Sequence, residues 1–199
     1  MLQISEEMLS YAFKVLLREI PSDEYAENIY IKDQSINLRE RDIRKRILIH
    51  LSTEQKSNLP ACLALISVSK DAERLGDYVK NIFELKKLLG NSECDRKIFT
   101  MLFNETGRDI LGLFRETAQA FRQTNLEMAA EVFGNGRELG RRCDEIIDTV
   151  ADSDYPARQA IVLALGARYL KRIALHLSNI ASSLVNSLPE MNYFDAGDR

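Results

Sequence analysis

KDAERLGDYVKNI, residues 70–82, has a counterpart near the other end of the chain, RYLKRIALHLSNI, residues 168–180. The two stretches align at an offset of 172 − 74 = 98 residues, about half of the 199-residue sequence. Three aligned pairs are identical: Arg74 and Arg172, Asn81 and Asn179, and Ile82 and Ile180. A duplicated unit produces an offset of this kind. The sequence therefore predicts two repeats of one fold, with each copy of the stretch in the last long helix of its half.

Helical segments fill both repeats. No stretch alternates polar and apolar residues for long enough to predict a strand, and proline, glycine and short polar runs separate the helical segments. We predict helices over residues 5–20, 23–50, 60–89, 96–122, 125–150 and 155–188. Pro21 ends the first helix and leaves Ser22 or Asp23 to cap the second. The glycines of GNGRELG (134–140) predict a loosened or bent fifth helix.

The fold that these segments predict is all-α, with two tandem antiparallel three-helix bundles related by a pseudo-twofold internal repeat. The first repeat covers residues 1–92, the second covers 93–188, and a C-terminal tail covers 189–199. The tail is short and rich in turn-forming residues. We expect it to fray unless Tyr193 and Phe194 pack back or dock a partner.

Composition and charge exclude several classes of partner. The net charge of −3 and the isoelectric point of about 5.6 give no general attraction to nucleic acid. The basic run at 39–46 is interleaved with Glu40 and Asp42, which is typical of a solvated helix face. The first residues lack the pattern of a signal peptide, and no apolar stretch is long enough to span a bilayer. We therefore expect no nucleic acid partner and no insertion into a membrane.

The cysteines and histidines give no pattern of a catalytic or zinc site. Cys62, Cys94 and Cys143 include no Cys-x-x-Cys pair, which favours reduced thiols and a cytoplasmic protein. The residue three positions before His50 and before His176 is isoleucine, so the Glu-x-x-His element of a di-metal enzyme is absent. No phosphate-binding loop is present either. We expect no catalytic residues and a structural role for His176.

Glu73 and Asp77 lie four residues apart within the first copy of the repeated stretch. On a helix they face the same side, next to the apolar stripe and within reach of solvent. Like charges at this spacing destabilise an exposed helix by roughly 0.2–0.5 kcal/mol, so a cation is expected near them. Lys70, Arg74 and Lys80 each lie three residues from one of the acids and are one source of that charge. A bound ion is another.

Three stretches of this sequence resemble the PhoU family. DAERLGDYVKNIFE (71–84) resembles the family's signature, in which a helix reading Asp-Leu-Glu-Arg-Ile-Gly-Asp is followed a few residues later by Asn-Ile. RYLKRIALHLSNIASS (168–183) resembles the matching element of the family's second repeat. IYIKDQSINLRERDIRKRIL (29–48) is similar to the family's long second helix. The resemblance runs from about residue 22 to residue 185 and so includes both repeats.

The resemblance implies a cytoplasmic, non-enzymatic regulator. PhoU proteins restrain phosphate uptake and the phosphate-starvation response by acting on components of a phosphate transporter and on its partner sensor kinase, which are the implied partners here. We also expect a homo-oligomer, in the form of a dimer. Similar domains form soluble tails of sodium-phosphate symporters, which leaves a second interpretation open. A metal-dependent enzyme is the third.

The resemblance also implies a metal site. Some PhoU proteins bind metal clusters on the bundle surface through Glu/Asp-x-x-x-Asp motifs, which here correspond to Glu73 and Asp77. The implied ion is divalent or ferric: iron, manganese, magnesium or zinc. Two carboxylates are too few ligands for tight binding, so further oxygens must come from elsewhere. Asp33 on the second helix is the expected third ligand, with Asn37 as a further contributor.

The second repeat cannot assemble the same site. Lys171 stands where Glu73 stands in the first repeat, and Leu175 stands where Asp77 stands. An ammonium group repels a cation, and a leucine side chain has no ligand atom. We therefore expect a metal site in the first repeat at most, with the second repeat serving as a scaffold or docking face.

Overall fold

The computed structural model of the protein describes residues 1–17, 19, 26–53, 58–90 and 95–185. Within these ranges the chain forms six α-helices and no β-strand, which confirms the predicted all-α fold. The helices are α1 (Leu2–Leu16), α2 (Ala26–Thr53), α3 (Leu59–Leu89), α4 (Arg96–Gln123), α5 (Leu126–Ala151) and α6 (Ala157–Val185).

The predicted helix boundaries are close to the observed ones. The largest shift is in α1, which begins at Leu2 and ends at Leu16, where residues 5 and 20 were predicted. Several predictions lie outside the described residues: the cap at Ser22 or Asp23, the thiol of Cys94, the repeat boundary at 92/93 and the tail at 189–199.

Side-chain caps fix the starts of three helices. Asn58, Asp95 and Asn125 accept backbone N–H groups in the first turns of α3, α4 and α5. These donors have no partner within the helix, so the caps satisfy them. Thr124 adopts a left-handed conformation with a φ of 49°, which lets the chain reverse between α4 and α5 within two residues.

The third helix of each repeat, α3 or α6, lies at the centre of the structure. The two pack against each other, α1 and α2 pack on α3, and α4 and α5 pack on α6. The largest fully buried side chains include Leu75 and Phe83 of α3 and Leu170 of α6. One continuous cluster of buried residues runs through both repeats, so the two bundles are joined through their third helices.

The contact between α3 and α6 has the symmetry of the sequence repeat. The offset of 98 residues relates Asp71 to Tyr169 and Tyr78 to His176. Asp71 Oδ1 lies 2.8 Å from His176 Nδ1, and the rings of Tyr78 and Tyr169 are 6.3 Å apart. Tyr78 and His176 stack on each other with ring centroids 5.5 Å apart. The helices therefore cross about a pseudo-twofold axis, as the repeat predicts, and His176 has the structural role expected of it.

α5 and α6 approach each other closely at Gly136. A Cβ atom at this position would lie 2.8 Å from the Ala174 carbonyl oxygen and 2.9 Å from Ser178 Cβ. Ser178 Oγ also donates a hydrogen bond to the Phe133 carbonyl oxygen, at 2.8 Å. The expectation that the glycines of 134–140 loosen the fifth helix is wrong, because α5 continues unbroken through them and uses Gly136 for close packing.

Gly136→Ala should destabilise the protein, because the new methyl group meets backbone that cannot yield. We expect a loss of about 1–3 kcal/mol in the free energy of unfolding, measured by thermal unfolding followed by circular dichroism. Gly134→Ala is the matched control, since a Cβ there meets nothing within 4 Å. Its better helix propensity should raise the free energy of unfolding by up to about 1 kcal/mol. Equal stability of the two variants would contradict close packing at Gly136.

Candidate functional site

The predicted site residues lie at the interface between α2 and α3, which run antiparallel. The helices are close at Gly76, where a Cβ atom would lie 2.8 Å from Ile36 Cδ1 and 3.6 Å from Asp33 Oδ1. Gly76 lies between Glu73 and Asp77 in the sequence. The missing side chain therefore lets Asp33 on α2 reach the acidic stretch of α3.

Lys80 joins two of the three predicted residues, Asp33 and Asp77. Its Nζ donates hydrogen bonds to Asp33 Oδ2 at 2.8 Å and to Asp77 Oδ1 at 3.1 Å. The Asp33 side chain is 11% exposed and the Lys80 side chain is 23% exposed, so water has little access to the bond between the helices. Burial lowers the pKa of Lys80 and is the largest single influence on it. The hydrogen bonds and charges of the two aspartates together outweigh burial and hold this pKa above its ordinary value of 10.5.

Glu73, the third predicted residue, pairs with a different cation. Lys70 Nζ donates a hydrogen bond to Glu73 Oε2 at 2.7 Å, and the Glu73 side chain is largely buried. Three basic residues were predicted to balance the acids. The ion pairs of Lys70 with Glu73 and of Lys80 with Asp77 are confirmed, and Arg74 is exposed to solvent. The structure therefore brings Asp33 and Asp77 together and leaves Glu73 in a separate pair.

Glu40, a buried carboxylate on α2, is absent from the predicted site. Its relative exposure is 7%, and its Oε1 atom lies 2.6 Å from Arg44 Nε in an ion pair. The antiparallel register places Glu40 at the level of Glu73 on α3. A signal for its burial is present in the sequence, because Glu40 follows the core residue Ile36 by four positions and so shares its face of the helix.

The metal prediction at Glu73, Asp77 and Asp33 stays a prediction. In the part of the chain that the structure describes, no three Asp, Glu, His or Cys side chains form a group that could hold a metal ion. Asp33 and Asp77 converge on an ammonium group, and their hydrogen bonds to it use oxygen atoms that a metal would need. In this arrangement, Asp33 and Asp77 are better suited to bind the ammonium group of Lys80 than to bind a metal ion.

The equivalent positions in the second repeat have different chemistry. Lys171 on α6 donates a hydrogen bond to Asp144 on α5. Leu175 lies over Gly140, where a Cβ atom would be 3.4 Å from Leu175 Cδ2.

Burial raises the pKa of the neighbouring Cys143 thiol to about 12, so this cysteine remains protonated and is not a nucleophile. Like Cys62, Cys143 is a free thiol, as predicted.

The solvent-facing side of α2 is a second candidate surface, which we call the α2 outer face. It consists of Ile31, Leu38, Arg41, Lys45 and Ile49, all of them exposed. Helical spacing places these residues on one side, away from α1 and α3. The three apolar side chains are 59%, 64% and 52% exposed. Because Glu40 is buried, the exposed part of the run at 39–46 is more basic than its sequence suggests.

Charged side chains line much of the groove between α4 and α5. Its volume is about 320 Å³, and Arg142 and Asp109 pair at its edge, with 3.0 Å between Nη1 and Oδ2. The described residues that line it include neither histidine nor cysteine.

Every helix among the described residues is too short or too polar to cross a lipid bilayer.

Comparisons with known proteins agree on one family. The family model described as "PhoU domain" matches residues 1–85 and 103–184. The phosphate-specific transport system accessory protein PhoU homolog of Clostridium acetobutylicum is 22% identical over 174 residues, which are 84% of this chain and 78% of that protein.

Two solved structures share the fold. The crystal structure of PhoU from Pseudomonas aeruginosa superposes with a TM-score of 0.79 at 20% identity, over 92% of this chain and 89% of that one. The phosphate transport system regulatory protein PhoU from Streptococcus pneumoniae superposes with a TM-score of 0.74 at 21% identity, over 92% and 88%. At these identities the likeness establishes the fold.

The stability contributed by Lys80 should depend on pH. A lysine whose pKa is raised by folding stabilises the native state fully below its unfolded pKa, and this contribution is lost as pH rises through the folded pKa. We expect Lys80→Met to lower the free energy of unfolding by about 1–3 kcal/mol near neutral pH, because it leaves Asp33 unpaired. The deficit should shrink above pH 10.5, where native Lys80 begins to lose its proton.

Urea unfolding followed by far-ultraviolet circular dichroism measures this effect, since the chain has no tryptophan. Lys45→Met is the control because Lys45 is an exposed lysine on α2, the helix that Lys80 contacts through Asp33. Its effect should stay within about 0.5 kcal/mol at every pH. A deficit for Lys80→Met that is the same at neutral and at alkaline pH would count against the ionic bridge.

Proposed function

This chain belongs to the PhoU family, and from that membership we propose that it is a non-enzymatic regulator of phosphate transport. Its relatives are named an accessory protein of a phosphate-specific transport system and a regulatory protein of a phosphate transport system. Both names describe proteins that act on another assembly. The regulator works in the cytoplasm as a homodimer and docks on transporter components and on their sensor kinase.

The α2 outer face is the observation that carries this proposal. Leu38 and Ile49 expose more than half of their surface, and burying each against a partner would stabilise a complex by about 1.5–3 kcal/mol at most. The exposed Arg41 and Lys45 lie between them along the helix. A surface that combines apolar anchors with basic groups matches a partner surface of apolar residues flanked by acids.

Charge complementarity identifies the kind of partner. The whole chain carries a net charge of −3, so the basic character of the α2 outer face is local. Asp42 pairs with Arg46 and the buried Glu40 pairs with Arg44, which leaves Arg41 and Lys45 available to an acidic partner. We assign this face to an acidic patch on a cytoplasmic component of the phosphate transporter.

The test is complementation in the organism that encodes the protein. Deletion of the gene should alter phosphate uptake and the activity of a phosphate-starvation reporter, and the native gene should restore both. Leu38→Asp/Ile49→Asp should restore neither, because two buried carboxylates at the docking surface would each lack a partner. Met101→Asp is the matched control on α4, since Met101 is 67% exposed and lies outside the α2 outer face. It should restore both.

Two further measurements test whether the double variant is folded and which partner the native protein contacts. Circular dichroism and thermal unfolding should show that the double variant folds like the native protein, since both substitutions are on the surface. A photo-crosslinking amino acid at position 45 should join the protein to a transporter component or the sensor kinase. Full complementation by the double variant would refute docking through this face. Binding of the native protein to phosphatidylglycerol vesicles, lost in the double variant, would assign the face to lipid instead.

A further inference from the structure

The geometry between α2 and α3 points to a role for Lys80 beyond a surface ion pair. We propose that its ammonium group is a tethered cation that takes the place of a metal ion between Asp33 and Asp77. The native chain then holds its first repeat together without a metal at this position. The carboxylates predicted as metal ligands are, on this view, the counter-ions of lysines.

The distances support a cation at the centre of the site. Lys80 Nζ lies 2.8 Å from an oxygen of Asp33 on α2 and 3.1 Å from an oxygen of Asp77 on α3. One ammonium group thus cross-links two helices through carboxylates, as a bridging metal ion does. A divalent ion would bind these oxygens at about 2.0–2.6 Å, in space next to Nζ. The two cations repel each other, so a metal can enter only if Lys80 leaves.

Burial explains why the site needs a cation. The Asp33 side chain is only 11% exposed, so water cannot fully solvate its charge. Lys80 is attached to the same chain, so its ammonium group reaches the site in an intramolecular step, which a free ion cannot do. A lysine also has three donors on its ammonium group, and two of them are used here. The tethered cation therefore competes successfully with free divalent ions.

The second repeat supplies an internal comparison. Lys171 on α6 bonds to Asp144 on α5, so each repeat has a lysine on its third helix that reaches an aspartate on its second. Both lysine side chains are 23% exposed. The two lysines are not at equivalent positions, because Lys171 aligns with Glu73, and Leu175 stands where the first repeat has Asp77. Lys171 contacts one carboxylate and Lys80 contacts two, which makes Lys171 the matched control.

Removal of the ammonium group should open the site to metal. Titration of EDTA-treated protein with Mn²⁺, followed by the electron paramagnetic resonance signal of the free ion, measures binding directly. The native protein should bind no Mn²⁺ at this site in the millimolar range. Lys80→Met should bind one equivalent with a dissociation constant on the order of 10⁻⁴–10⁻³ M, as expected of a site with few carboxylates. Lys171→Met should behave like the native protein.

Thermal unfolding gives a second readout. The Tm of Lys80→Met should fall below the native value, and an excess of Mn²⁺ should restore roughly 2–4 °C of the loss. Adding Asp33→Asn to Lys80→Met should abolish both the binding of Mn²⁺ and the recovery of Tm. This result would place the bound ion at Asp33. The native protein and Lys171→Met should show no shift of Tm with Mn²⁺.

Two results would overturn the proposal. One is stoichiometric Mn²⁺ binding by the native protein that Asp33→Asn abolishes, because a metal would then share the site with Lys80. The other is a folded Lys80→Met or Lys80→Gln variant that binds no more Mn²⁺ than Lys171→Met. The titration of the native protein decides the first point even if neither lysine variant folds.

Discussion

The structure depends on the crossing of α3 and α6. Tyr78 stacks on His176 at this crossing, and Asp71 bonds to the same histidine. Every other helix packs directly on α3 or α6, so the crossing sets the positions of both bundles. A second contact joins the same two helices, because the guanidinium of Arg158 on α6 donates a hydrogen bond to the Leu88 carbonyl near the C-terminal end of α3. The contact between α3 and α6 therefore joins the two repeats into one core.

Both repeats attach their second helix through a close glycine contact and a lysine–aspartate pair, but they differ in how much charge they bury. α5 packs closely on α6 because Gly136 removes a side chain from the interface. α2 meets α3 through Ile36 at Gly76, and it also buries two carboxylates, Asp33 and Glu40, which pair with lysine and arginine. Buried charges contribute little net stability even when they are paired. The first repeat therefore buries more charge at the attachment of its second helix than the second repeat does, and α2 is also the helix with an exposed apolar and basic outer face.

Sequence patterns within single helices predict much of this fold. The features that these patterns do not predict depend on contacts between helices. The repeat is visible because Arg74 and Arg172 keep their register, and the pairing of Lys80 with Asp77 follows from a spacing of three residues. The second bond of Lys80, to Asp33, depends on the register between two helices, which no spacing within one helix specifies. Gly136 is ambiguous for a similar reason. A glycine in a helix indicates either weakness or close approach, and only the neighbouring Ala174 backbone decides between them.

The pseudo-twofold crossing also has an evolutionary consequence. Two identical copies of a single three-helix unit would place the same residue opposite itself on the axis, so Tyr78 would face a tyrosine or His176 a histidine. Asp71 and Tyr169 would likewise have to be one residue type. Fusion of the two units into one chain removes that restriction, because each position can mutate alone. The stacked tyrosine and histidine, with a carboxylate on one side only, form an asymmetric contact that a symmetric ancestor of two separate chains could not make.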